Sequence, residues 1–85
     1  MTEHEAITIA QAFAKAEHVS IGPVLNVLHD PTPELRLVLE GRGIDPKPRD
    51  KWRILFERLD GGFDPGSIMI SVYSGDGRAV FENNL

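Results

Sequence analysis

The sequence predicts an α+β domain: one N-terminal helix packed on a four- to five-stranded antiparallel meander sheet. Three observations lead there. Apolar residues in the first eighteen positions recur at helical spacing. From residue 24 onward, short apolar or alternating runs replace that spacing, as strands require. Gly- and Pro-rich stretches separate the runs, and consecutive strands with brief connections pair antiparallel.

The helix opens on Thr2-Glu3-His4-Glu5, a capping-box pattern. Thr2 as N-cap accepts from the Glu5 N–H, and the Glu5 carboxylate is expected to reach back to the Thr2 N–H. Glu3 and Glu5 also suit the positive end of the helix dipole. Ala6, Ile9, Ala10, Phe13 and Ala16 make the apolar stripe, with Thr8, Gln11, Lys15 and His18 opposite. Alanine in the stripe lets a sheet approach closely. The β-branched Val19 and Ile21, then Gly22-Pro23, place the helix stop between residues 18 and 22.

Residues 24–29, VLNVLH, form the next apolar run, and residues 19–29 make either one strand or two short pieces. Asp30-Pro31-Thr32-Pro33 reads as a turn. Over residues 34–40, Leu35, Leu37 and Leu39 alternate with Glu34, Arg36 and Glu40, which predicts a half-buried strand. The stretch GRGIDPKPRD, residues 41–50, has a composition that neither a helix nor a central strand tolerates. KWRILFERL follows as a strand with Trp52, Ile54 and Phe56 on one face. DGGFDPGS is a second loop, and IMISVYS a strand with Ile68, Ile70 and Val72 inward. Asp76-Gly77, set between alternating apolar runs, marks the hairpin turn to a last strand, RAVFE.

Eighty-five residues make one domain, 1–85, with a thin stability margin that an oligomer would raise. The net charge of −4 argues against non-specific nucleic-acid binding, because phosphate must be met by Lys and Arg. With no cysteine, disulfides, thiolate metal sites and cysteine nucleophiles are excluded. The acidic start resembles no signal peptide, and no run reaches the ~20 apolar residues of a membrane span, so a cytoplasmic, membrane-free setting is expected.

Nothing in the chain reads as a catalytic or cofactor site. Asp76 lacks the alternating oxygen ligands of a calcium loop, and Asp60 and Asp64 have no third acid at matching spacing. His29-Asp30 stands without the further His and Asp ligands that metal-dependent phosphohydrolases carry on a larger helical domain. His4 and His18 complete no ligand spacing. No serine lies in an activating context, and neither Gly-rich stretch carries the Lys of a phosphate cradle. The expectation is no enzyme, no cofactor and no metal.

The distinctive surface candidate is the 41–51 segment, where Arg42, Lys47, Arg49 and Lys51 outnumber Asp45 and Asp50 on an otherwise acidic chain. Trp52 borders it as the first residue of its strand's apolar face, and either caps the core or puts its indole edge in water. Phe63, between glycine and Asp-Pro, is either a core plug or an exposed anchor. These six residues predict a non-enzymatic module that binds another protein. Two alternatives are a small-ligand pocket between helix and sheet, and a homodimer formed through an exposed strand edge or sheet face.

The runs ITIAQAF, KWRILF and IMISVYSGDGRAVF together resemble the helix-plus-meander domains of the cystatin-like superfold. The closest echoes are PepSY-like domains and nuclear-transport-factor-fold immunity proteins. They fall on Ile9-Ala10, Trp52 to Phe56 and Ile70 to Phe81, about half the chain. The inhibitory cystatin signature Q-x-V-x-G is absent. The resemblance implies binding or inhibition through a sheet face or loop, as an inhibitor or immunity-type factor, rather than catalysis.

Overall fold

The computed structural model describes residues 1–59 and 66–82. Helix α1 spans Glu3–Ala16, and strand β1 spans Ile21–Asp30. A second helix, α2, spans Pro33–Gly41, followed by a single 3-10 turn at Lys47–Arg49. Strands β2 (Lys51–Arg58), β3 (Ser67–Tyr73) and β4 (Ala79–Glu82) complete one antiparallel sheet in the order β1-β2-β3-β4. The meander and the helix on its face are therefore as the sequence predicts, with four strands.

Helix α1 begins on Thr2, whose hydroxyl oxygen accepts from the Glu5 N–H at 3.2 Å. The Glu5 carboxylate does not reach back to the Thr2 backbone. It accepts the Thr2 hydroxyl proton instead, also at 3.2 Å. The helix ends in a Schellman arrangement: Val19 N–H donates to the Ala14 carbonyl and His18 N–H to that of Lys15. His18 occupies the left-handed position at φ 59°, where glycine is usual.

Ala6, Ala10 and Ala14 are fully buried, so the contact line runs one residue per turn along the helix, and Ala16 faces solvent. They meet Ile54, Phe56, Ile70 and Val72 from the central strands. Methyl side chains along this line let helix and sheet close together. Phe13 and Phe81 seal the seam on the β4 side, with ring centroids 4.6 Å apart and planes tilted by 46°. The register sets Ile54 opposite both Val27 and Ile70, and Phe56 opposite both Val24 and Ile68, so β2 carries the widest side chains at the middle of the sheet.

Residues 34–40 are not a strand. They form α2, and the reason is local. The Thr32 hydroxyl oxygen accepts from the Leu35 N–H, Pro33 stands at the first helical position with its φ already set, and Glu34 sits at the positive end of the dipole. Leu35, Val38 and Leu39 satisfy helical spacing as well as Leu35, Leu37 and Leu39 satisfy alternation, so the cap decides between them. With α2 as an excursion, β1 pairs directly with β2. The helix makes only marginal contact with the sheet, and its buried side chain, Leu39, lies outside the main core.

β1 is continuous but irregular. Its register against β2 shifts between Ile21 and Val24 and again between Val24 and Asn26, a stretch that contains Pro23. At the other end of the sheet, Gly77 turns the chain at φ 72°. The Asp76 carboxylate accepts from the Arg78 N–H, the Gly77 N–H donates to the Tyr73 carbonyl, and the Tyr73 N–H donates to that of Arg78. Ser74 to Gly77 are thus the hairpin turn between β3 and β4.

Candidate interaction surface

The end of the sheet where β1 stops and β2 starts gathers most of the polar chemistry of the described residues. Asp50, just before β2, is shared: His29 Nε2 and Arg36 both bond its Oδ1, the latter at 3.1 Å. His29 lies flat on Trp52, its cross-strand neighbour, with centroids 4.1 Å apart and planes within 4°. This knot fastens α2 to the sheet through Arg36. A groove of about 580 Å³ runs beside it, lined by His29, Pro31, Pro33, Arg36, Leu37 and Asp50.

On the outer face of the sheet, away from α1, Glu82 bridges Lys51 at 2.7 Å and Arg53 at 3.0 Å. Lys51 also stands 5.6 Å from the Tyr73 ring centroid, and Arg78 covers the same ring at 4.6 Å. Burial pushes the Glu82 carboxyl up. The Lys51 and Ser71 hydrogen bonds, with the charges of Lys51 and Arg53, outweigh it and hold the group at about 2, against an ordinary 4.5. A carboxyl lowered on folding stabilises the fold above its unfolded value, and that contribution fades as pH falls from about 4.5 towards 2. Solvent screens this partly exposed cluster, so its worth is on the order of 1 kcal/mol. Glu82→Gln is expected to lower stability by that amount at pH 7 and to flatten the acid limb of a stability–pH curve between pH 4.5 and 2. An acid limb identical to wild type would show that the bridge contributes nothing.

Of the basic residues singled out in the sequence, Lys51 is thus neutralised in the sheet. Arg42 ends α2, and Lys47 and Arg49 sit in the 3-10 turn; all three are exposed and form no ion pair among the described residues. Trp52 is half-buried beneath His29, and its indole N–H is itself buried. Phe63, with Asp60 and Asp64, lies outside the described residues.

What sequence reasoning missed is the outward face of α2. Leu37 is 70 % exposed, Val38 50 % and Leu35 45 %, and Ile44 just beyond is also exposed. The run Thr32-Pro33-Glu34 was the available signal, a helix start in three residues. Among the described residues no three of His, Asp and Glu converge as metal ligands, and no helix is long and apolar enough to cross a membrane. No protein family, curated protein or solved structure matches the chain.

Proposed function

We propose that this protein is a non-enzymatic binding module that seats another polypeptide on α2 and the basic turn after it. The observation that carries the reading is a helix outside the core whose three large apolar side chains point to water. Burying them would return to the chain the hydrophobic contribution that the fold leaves unused, ~1.5–3 kcal/mol for each side chain fully covered. Arg42 closes the C-terminal end of this face and would meet an acidic group on the bound chain, and Lys47 and Arg49 follow in the exposed 3-10 turn. The helix-on-meander frame supports the likeness to cystatin-like binding domains, and the alanine seam of α1 favours a closed helix–sheet contact over a ligand pocket there.

A photo-crosslinking residue placed at Leu37 is expected to give a discrete protein adduct in lysate of the source cells. One at Gln11, on the solvent face of α1, should give none, and Val38→Asp should abolish the Leu37 adduct. Equal labelling at both positions, or none at either, overturns the reading.

A further inference from the structure

We propose that the polypeptide seated on α2 is a second copy of this chain, in an antiparallel helix pair with its two-fold axis at Val38. This rests on the binding reading above and names the partner. The outward face of α2 carries Glu34, Val38 and Gly41 along its centre line, with Leu37 on one flank and Leu35 and Arg42 on the other. Rotating a second helix about Val38 sets Glu34 of each copy beside Arg42 of the other. Both charges are exposed, and neither has an ion-pair partner among the described residues.

The same rotation brings Leu35 of one copy to Gly41 of the other. Apart from its chain neighbours and the helix's own backbone, no heavy atom lies within 4 Å of the place a Gly41 Cβ would occupy, so that side of the helix is open to an incoming leucine. A parallel pair would instead oppose Glu34 to Glu34 and Arg42 to Arg42, so charge selects the antiparallel arrangement. The contact is isologous and closes at two copies. Nine residues rise only ~13.5 Å, so the interface is small and the dimer weak and concentration-dependent.

Sedimentation equilibrium of the purified chain, from micromolar to millimolar, is expected to rise from 9.4 kDa towards twice that mass. Glu34→Lys and Arg42→Glu each turn two attractive pairs into two repulsive ones and should weaken the dimer about tenfold. An equimolar mixture of the two variants should restore it, because both pairs of the mixed dimer again join opposite charges. That restoration also shows that each variant keeps its helix. A chain that stays monomeric throughout overturns the inference, as does a dimer indifferent to the swaps. If such a monomer still gives the Leu37 adduct with a different protein, the self-association fails and the binding reading stands.

Discussion

Phe56→Ala is expected to cost about 3–5 kcal/mol of folding stability. The total for a domain of this length is on the order of 4–13 kcal/mol, so the loss takes a large share of it. Phe56 is fully buried on β2, with Val24 and Ile68 as its cross-strand neighbours, and it belongs to the cluster that receives the three alanines of α1. Deleting the ring removes its transfer energy and leaves a cavity walled by a hydrogen-bonded strand on each side, which cannot collapse into it. The urea midpoint of the variant should fall sharply with the slope unchanged. A midpoint within experimental error of wild type would place the weight of the core elsewhere.

Ala10→Leu is expected to cost about 2–3 kcal/mol by the opposite mechanism. Ala10 is fully buried at the middle of the α1 seam, and leucine is the better buried hydrophobe by area, so transfer energy alone predicts stabilisation. Packing wins, because the added carbons must displace either the helix or the core side chains of β2 and β3 that share its cluster. Gln11→Leu, one residue on and facing solvent, controls for helix propensity and should change stability by less than about 0.5 kcal/mol. Thermal melts of the two variants side by side decide the matter: equal midpoints would mean that the seam has slack.

The parts of this fold that were legible in the sequence are those where period and cap agree. Thr2 and the alanine stripe announce α1, and the alternation through Ile54-Phe56 and Ile70-Val72 announces the two central strands. The helix stop was less legible, because a histidine holds the left-handed position of the Schellman arrangement and leaves no glycine to mark it. Residues 34–40 misled because three leucines at alternate positions outweighed the start signal at Thr32-Pro33-Glu34. The cost of that misreading fell on the candidate site. Read as a strand, Leu35, Leu37 and Leu39 belong to the core; read as a helix, two of them face water and define the surface. The basic residues were visible as charge, but whether a cation is free depends on what stands opposite it. Glu82, thirty-one positions after Lys51, cannot be matched to it without the strand register.

The irregular start of β1 bears on how copies of this chain can and cannot assemble. An unpaired strand edge invites growth by addition of further strands, without limit. Here Pro23 has no N–H to offer such a strand, the register breaks across it and again after Val24, and the Val27 N–H is already engaged by the side-chain oxygen of Asn26. The opposite edge, β4, is four residues long. The sheet therefore presents a blunted rim at both borders, and association is steered away from open-ended fibre growth towards contacts that terminate.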